Sequence, residues 1–588
     1  MWRSVWRTAA FVCVGVMLWA KESPQALKEI PFFVKGLHYV DKEALYDALD
    51  VRYAPKWMFW KDHTPYIRYG LAEHAEGTLR AFFDSEGLYD ADFTMRLSDT
   101  NATLTVNEGT PVRVDDINIS SDADLSEIVT FHKGEIFRAQ KFIEIKQAVA
   151  DKMLQEGYCS YALDTKAFVD LSTHKVALRY ILRKGKPCVF GNTTVSGLET
   201  IDERIVKAYV RAKPGLRFSK ELVQETSGAI YGLQSFDSVV VDVNRKFYNV
   251  VPVDIRVQEM SRPYHIELGA GYDTYVGARV HATLFKHNFL GNAQQLTLRL
   301  AWSQLESLAT VDFDKPALFE AYGYPISLGL SGGYSDLEFD GFRETKYFAK
   351  GFLRFEGEKL ELTSGLAAES IDISRLSDGE NLLPDYAYDT FFLVYPYFRA
   401  IYDARDSKLD PHKGYYVMGY AEYGLPADSD ASRYLKLEAE ARYIRTFGTL
   451  TAAVVGKIGT IEIYQDSAGG IPESKKFFGG GAYSNRAYGF RQIGVITSPT
   501  EDMINGALSM ANLSFEIDHP IAGKLSGAIF TDNTMLTAKS YDWSGDVITS
   551  VGAGVRYLTP VGPFKLDVGF NVHDPSQYGI IFQIGQSF

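Results

Sequence analysis

Tyr578-Gly579-Ile580-Ile581-Phe582-Gln583-Ile584-Gly585-Gln586-Ser587-Phe588 closes the chain. Taken with a period of two, Tyr578, Ile580, Phe582, Ile584 and Phe588 share one face, and Gly579, Ile581, Gln583, Gly585 and Ser587 share the other; only Gln586 breaks the apolar row. Successive side chains of a strand point to opposite faces, so the pattern predicts a strand with one apolar and one wetter face. The preceding segment agrees, with Phe564, Leu566, Val568 and Phe570 opposing Lys565, Asp567 and Gly569. So does the first such segment, where Tyr264, Ile266, Leu268, Ala270 and Tyr272 oppose His265, Glu267, Gly269, Gly271 and Asp273. Between them run Gly- and aromatic-rich segments of about ten residues separated by polar turns. A wall of this kind suits lipid outside and a polar lumen inside. A bilayer offers no water to unpaired backbone groups, so such a sheet has to close into a barrel. Residues 263–588, at roughly 20 per strand with its turn, allow about sixteen strands. A soluble sandwich shares the period, but not the number of strands or the terminal aromatic residue.

Composition sets bounds around that reading. The chain has 588 residues with 74 acidic and 61 basic side chains, a formal charge of −13, which argues against a dedicated nucleic-acid binder. Its 46% hydrophobic content excludes wholesale disorder. Beyond the N-terminus no long uncharged apolar run offers a membrane-spanning helix. The 36 Tyr, 37 Phe and 50 Gly fit many strands with aromatic belts and tight turns. At the N-terminus, Arg3 and Arg7 precede the apolar Ala9–Trp19, and Ala20 suits cleavage, which together predict an export signal over residues 1–20. Cys13 would leave with it. Cys159 and Cys188 then remain in a compartment where disulfides persist, either joined or as two separate small apolar residues.

From Pro24 to Glu259 strand-like and helix-like stretches recur about every 75 residues. In the first unit the helix-like Glu73–Phe83 runs into Ser85-Glu86-Gly87-Leu88-Tyr89, then two strands ending at Leu104-Thr105-Val106-Asn107-Glu108-Gly109. In the second, Val112–Ser120 leads through the helix-like Phe142–Leu154 to Gln155-Glu156-Gly157-Tyr158 and a strand pair closing on Tyr180–Arg183. The third opens at Val189, has the helix-like Lys220–Tyr231, and ends with strands Ser238–Lys246 and Val251–Gln258. This β-α-α-β-β order, with a strand entering after a Gly-Tyr-like turn, resembles the POTRA (polypeptide-transport-associated) module. The expected organisation is a signal at 1–20, POTRA-like units at 21–109, 110–185 and 186–260, and a transmembrane antiparallel β-barrel at 261–588. Sheets with unpaired edges can accept an extended client strand.

Several motifs follow in order along the C-terminal half: Gly271-Tyr272-Asp273-Thr274, Asn288-Phe289-Leu290-Gly291-Asn292, Asp403-Ala404-Arg405-Asp406, Phe477-Phe478-Gly479-Gly480-Gly481 leading into Ser484-Asn485-Arg486-Ala487-Tyr488, Phe530-Thr531-Asp532, Gly552-Ala553-Gly554-Val555-Arg556-Tyr557 and the terminal Gly585-Gln586-Ser587-Phe588. Each is weak alone; the order makes the set specific. With three POTRA-like units before them, they resemble the BamA superfamily of outer-membrane assembly barrels, and within it the TamA branch, whose members are outer-membrane subunits of translocation and assembly modules.

The resemblance implies that the arginine-bearing loop folds into the lumen, where Arg486 meets carboxylates on the inner wall. A lumenal guanidinium needs a fork-like partner, and Asp532 is the leading candidate, with Glu516 of Ser514-Phe515-Glu516 on the same wall. The family's motif glycine is replaced here by Ala487, which adds a Cβ where the backbone of the loop is expected to be unusual. The implied function is assembly of outer-membrane clients, autotransporter barrels included, without an enzyme active site, bound cofactor or ATP. Its lateral seam would lie between the first strand (Tyr264, Ile266, Leu268, Gly269, Gly271) and the last (Gly579, Phe582, Gly585, Phe588), whose glycines weaken packing and permit a bend. Implied partners are unfolded outer-membrane clients, membrane lipids and a TamB-like periplasm-spanning protein. Two other readings stay open: a barrel anchor for a TamB-like phospholipid carrier, and a two-partner secretion exporter. Gly329-Leu330-Ser331-Gly332-Gly333 matches the hydrolase elbow pattern, but it sits in a strand-like run rather than at a strand-to-helix turn.

Overall fold

A computed structural model describes residues 28–54, 62–243, 249–273, 277–339, 342–375, 387–427, 431–464, 470–495, 505–559 and 562–584. The expected export signal and the terminal Gly585 and Phe588 lie outside the described residues. The chain forms two compact units, one spanning 1–192, 212–224 and 243–253, the other 193–211, 225–242 and 254–588.

Three small sheets come first. β1 (Glu29–Lys35), β2 (Tyr66–Arg68), β3 (Asp92–Leu97) and β4 (Ala102–Asn107) lie in the order β2-β1-β4-β3 against helices Lys42–Ala48, Tyr69–Glu73 and Ala75–Ser85. β5 (Arg113–Ser121), β6 (Ala162–Asp170) and β7 (Lys175–Arg183) form β5-β7-β6, crossed by the helix Ala139–Gln155. β8 (Val189–Ser196), β9 (Phe236–Val243) and β10 (Val250–Glu259) form β8-β10-β9 with helices Glu203–Ala208 and Lys220–Tyr231. The helices bury apolar stripes on these sheets; Ile145, Val149 and Met153, one turn apart, pack on Val176, Leu178 and Tyr180.

Two details depart from the sequence reading. The second unit has one regular helix among its described residues where two were expected. Ser121 Oγ accepts the Ala123 N–H and Asp124 Oδ1 the Ser126 N–H, so side chains hold this segment in turns instead. In the first unit an additional short strand, β2, pairs antiparallel with β1 through Glu29/Arg68, Ile30/Ile67 and Pro31/Tyr66 and covers that edge of the sheet.

The glycine turns have a clear physical role. Gly87 and Gly157 follow the long helices in the left-handed region, at φ +81° and +78°. Their carbonyls accept the N–H of Val112 and of Cys188, the first residues of the next unit, at 2.8 and 2.9 Å. A disulfide joins Cys159 to Cys188 at the second of these turns. A deeper repeat links the first and third units. Glu108 accepts the N–H groups of His38, Tyr39 and Val40, and Glu259 those of Glu199, Thr200 and Ile201, just before the helices capped by Asp41 and Asp202.

The remainder is one sheet of sixteen antiparallel strands in sequence order. They are β11 (Tyr264–Asp273), β12 (Gly277–Lys286), β13 (Gln295–Ser303), β14 (Glu306–Ala321), β15 (Tyr324–Phe339), β16 (Phe342–Glu356), β17 (Leu360–Arg375), β18 (Thr390–Asp403), β19 (Lys413–Pro426), β20 (Arg433–Phe447), β21 (Leu450–Tyr464), β22 (Ser509–Ala522), β23 (Leu525–Thr537), β24 (Val547–Thr559), β25 (Gly562–Asn571) and β26 (Tyr578–Ile584). This is the barrel expected from the alternation. Among the described residues no helix is long and apolar enough to cross a membrane. Tyr264, Ile266 and Leu268 of β11 and Tyr578, Ile580 and Phe582 of β26 face outward and are exposed, whereas Lys565 and Asp567 of β25 point inward and are buried. Ser331 of the hydrolase-like pattern stays in register in β15 and donates to Asp312, with no elbow.

The inner wall is not uniformly polar. At the far end of the lumen, away from where the chain enters β11, the inward Phe342, Ile371, Phe391 and Tyr434 form a buried apolar cluster with Ile471, Phe477 and Ala507 of the β21–β22 connection. A loop packed inside the barrel supplies an apolar partner there in place of water.

Candidate functional site

The connection from β21 to β22 turns back into the barrel, where bridges Phe477/Ala507, Gly479/Ile493 and Val495/Asn505 give it a hairpin-like stem. Gly480, at φ +96°, makes the tight bend at the tip; a Cβ there would stand 2.3 Å from the Gly489 carbonyl oxygen. The bend delivers Ser484 to Tyr488 onto the inner face of β22–β25.

Each residue of the tip is held. Ser484 O accepts from Asn512 Nδ2 at 3.1 Å. Asn485, fully buried, accepts from the Ser550 hydroxyl at 2.5 Å and donates to Ile548 O at 3.1 Å. Ala487 O accepts from Gln577 Nε2 at 2.9 Å, and the Tyr488 hydroxyl accepts from Asn571 Nδ2 at 2.5 Å. Arg486 is 5% exposed. Its Nε and Nη2 donate to the two oxygens of Asp532 at 2.9 Å each, forming a fork, and its backbone N–H reaches the same carboxylate at 3.0 Å. Nη1 donates to Glu516 Oε2 at 2.5 Å and to Asp567 Oδ2 at 3.3 Å. The guanidinium lies 3.4 Å from the centre of the Phe530 ring, a cation–π contact.

Sequence reasoning named Asp532 and Glu516 as candidates, and the structure brings both to Arg486. It missed the rest of the cluster. Asp567 is a third carboxylate, and Arg556 a second guanidinium, donating to Glu516 Oε1 at 2.8 Å and to Asp567 Oδ1. Part of the signal was available, because Asp567 lies in a segment already read as alternating and Arg556 in a quoted motif; what was lacking was the register that puts Gly554 opposite Asp567. Gly554 and Gly552 clear space for these groups: a Cβ at Gly554 would overlap Asp567 Oδ1, and one at Gly552 the Phe530 ring. The Asp532, Glu516 and Asp567 carboxylates surround the guanidinium and compensate the cost of burying its charge.

Ala487 is fully buried, but its φ is not positive, so its Cβ meets no left-handed strain. The expectation of an unusual backbone at this position is corrected. The glycine the geometry needs is on the wall: a Cβ at Gly569 would stand 2.9 Å from the Arg486 carbonyl carbon and oxygen.

A second buried cluster went unread. Lys475, in the short 3-10 turn Glu473–Lys475, points into the wall between β17 and β20. Its Nζ lies 2.7 Å from Glu369 Oε2 and 3.6 Å from Glu422 Oε1. Pro472-Glu473-Ser474-Lys475-Lys476 reads as a solvated turn, and no periodicity marks it as buried.

At the proposed seam, β11 pairs with β12 along its whole length and β26 with β25. β26 comes near β11, but among the described residues no ladder joins them. Gly269 has a local reason to be glycine, since a Cβ there would collide with the His281 imidazole. Gly271 pairs with Arg279, and Gly579 with Gly569.

The family model described as the Omp85 superfamily domain matches residues 288–588, just over half the chain. This chain belongs to the Omp85 superfamily. The matched region holds the whole Arg486 cluster and fourteen of the sixteen barrel strands, β13 to β26. This Omp85 protein is 20% identical over 584 residues to the outer membrane protein assembly factor BamA of Nitratidesulfovibrio vulgaris, across 94% of this chain and 72% of that one. It is 23% identical over 243 residues to a putative outer membrane protein assembly factor of Treponema pallidum, across 39% of this chain and 28% of that one. Among solved structures, BamA from Haemophilus ducreyi lacking POTRA domains 1–3 aligns with a TM-score of 0.54 at 17% identity, covering 81% of this chain and 99% of that one, a likeness of fold.

Proposed function

We propose that this Omp85 protein is an outer-membrane assembly factor, which inserts or exports β-strand clients through a seam between β11 and β26. One observation carries the reading: sixteen strands pair in unbroken order, yet no ladder joins first to last among the described residues. The seam is also flanked by short strands. β26 has seven described residues and β11 and β25 ten each, against sixteen in β14, β15 and β17. Unpaired edge groups facing lipid are costly, so a client strand that pairs with them lowers the free energy of both chains. No covalent step is required; insertion draws on the client's own burial. The folded-in loop, fixed by Arg486 to β22, β23 and β25, keeps the wall that carries β26 in one geometry while the seam works.

Within the superfamily the TamA-like reading is favoured by the three N-terminal sheets. Its clients would include autotransporter barrels, and its periplasmic partner would be TamB-like. The POTRA-like units would then sit in the periplasm, with the barrel in the outer membrane. Because β2 covers one edge of the first sheet, strand addition is directed to other edges, such as those of β6 or β9. The test is a series of cysteine pairs between residues 264–270 and 578–582, oxidised in membranes. Client assembly should stop when the seam is locked and resume on reduction. Undiminished assembly with a fully locked seam overturns the reading.

A further inference from the structure

Lys475 lies outside the loop motif, against a different stretch of wall from Arg486, and five side chains from the four neighbouring strands β17 to β20 enclose it. Tyr395 donates to Glu369 Oε1 at 2.7 Å, and Lys475 Nζ stands 4.3 Å from the centre of the Tyr395 ring. Tyr434 donates to Glu422 Oε1 at 2.7 Å, and Tyr420 to Glu422 Oε2. The Lys475 side chain is 12% exposed, and those of Glu369 and Glu422 are 3% and 4%. Lys436 Nζ donates to the Lys475 carbonyl at 3.0 Å, so the backbone is fixed as well as the ammonium. Lys350 of β16 also lies 3.5 Å from Glu369 Oε1, but Lys475 bridges the two buried carboxylates of β17 and β19, so its loss leaves both with less charge compensation. Directly beside this cage, Ile471 and Phe477 of the loop complete the apolar cluster at the far end of the lumen.

We propose that Lys475 is a positioning residue, a second anchor that pins the base of the folded-in loop to β17 and β19 independently of Arg486 and so keeps the far end of the lumen shut to ions. The two anchors divide the labour. Arg486 ties the tip to β22, β23 and β25, whereas Lys475 presses the base against the apolar wall. With Lys475 released, Ile471 and Phe477 lose the tether that seats them, while the tip stays docked. The barrel then leaks without losing the Arg486 fork. This holds whether or not the seam opens for clients.

The experiment uses the full chain in planar lipid bilayers with potassium chloride as the probe. Lys475→Met should raise mean conductance at least tenfold over wild type. In the same variant, an added Tyr488→Cys/Asn571→Cys pair should still form its crosslink, reporting a docked tip. The triple variant Lys475→Met/Glu369→Gln/Glu422→Gln removes the stranded carboxylates and keeps the proposal testable if the single variant fails to fold. A missing anchor predicts that the triple variant also conducts. A triple variant as quiet as wild type would show that the leak came only from unpaired charge and would overturn the proposal. So would a non-conducting, folded Lys475→Met protein, or loss of the 488–571 crosslink in it, since the anchors would then not be independent.

Discussion

Replacing Arg486 with Met keeps the apolar stem over Phe530 and removes only the guanidinium. Three cations, Arg486, Arg556 and Lys565, face three carboxylates, Glu516, Asp532 and Asp567, and none of the six is more than 7% exposed. Among the described residues Asp532, 1% exposed, has Arg486 as its one ion-pair partner, through two bonds of 2.9 Å. Arg486→Met therefore strands a buried carboxylate and leaves the cluster one positive charge short. Breaking a buried pair from one side costs about 3–5 kcal/mol. Asp532→Asn in the same chain neutralises the stranded group, so the double variant should recover roughly 0.5–3 kcal/mol, the usual coupling range for contacting residues. The assay is urea unfolding of the full chain in lipid vesicles, followed by the heat-dependent gel mobility of the barrel. A single variant within about 0.5 kcal/mol of wild type, the range of a neutral surface change, refutes the reasoning. A double variant no more stable than Arg486→Met refutes it equally.

Three further outcomes follow from the geometry. Gly569→Ala pushes a Cβ against the Arg486 carbonyl and should cost about 1–3 kcal/mol by overpacking, while Ala487→Gly, at an ordinary φ, should cost only about 0.4–1 kcal/mol; both are read by the same unfolding assay, and equal effects would contradict the assignment of the tight contact to the wall. Cys159→Ser with Cys188→Ser opens a loop with a sequence separation of 29 and should lower the stability of the N-terminal units by about 3–4 kcal/mol, leaving the barrel transition unchanged; native-state proteolysis of the full chain checks this. Burial pushes the Glu259 carboxyl up, but the Thr200 hydroxyl and the N–H groups of Glu199, Thr200 and Ile201 outweigh it and hold the pKa below the ordinary value. Its stabilisation is thus present above the unfolded Glu pKa of about 4.3 and lost as pH falls through the lower folded value. The stability gap between wild type and Glu259→Gln should be full at neutral pH and shrink under acid; a constant gap contradicts the assignment.

The barrel was legible because lipid imposes a strict alternation on every strand it touches. Lys565 and Asp567 could be placed inward, and Leu566 outward, from sequence alone. The far end of the lumen was not legible, because inward Ile371 and Phe391 pack against Ile471 and Phe477 of a loop distant in sequence, and an apolar residue on both faces erases the signal. For the same reason Lys475 looked like a surface lysine. Arg486 was singled out by its motif, and Asp532 and Glu516 by theirs, but the bond to Asp567 depends on register between strands, which no single segment encodes. In the N-terminal half the glycine turns at Gly87 and Gly157 were visible, yet their role in receiving the next unit's first N–H emerges only when the units are seen together. β2 is three residues long, too short for any period to show.

The proposed activity depends on a weak join between β11 and β26, and amide hydrogen exchange resolved along both strands, in vesicles, tests it most directly. The amides of Ile266–Ala270 and Ile580–Phe582 that do not pair with β12 or β25 should exchange roughly tenfold or more faster than those in the middle of β15 and β16, and should become protected when a client is engaged. Protection equal to that of β15 and β16, unchanged by client, would mean a closed ladder and would contradict the account.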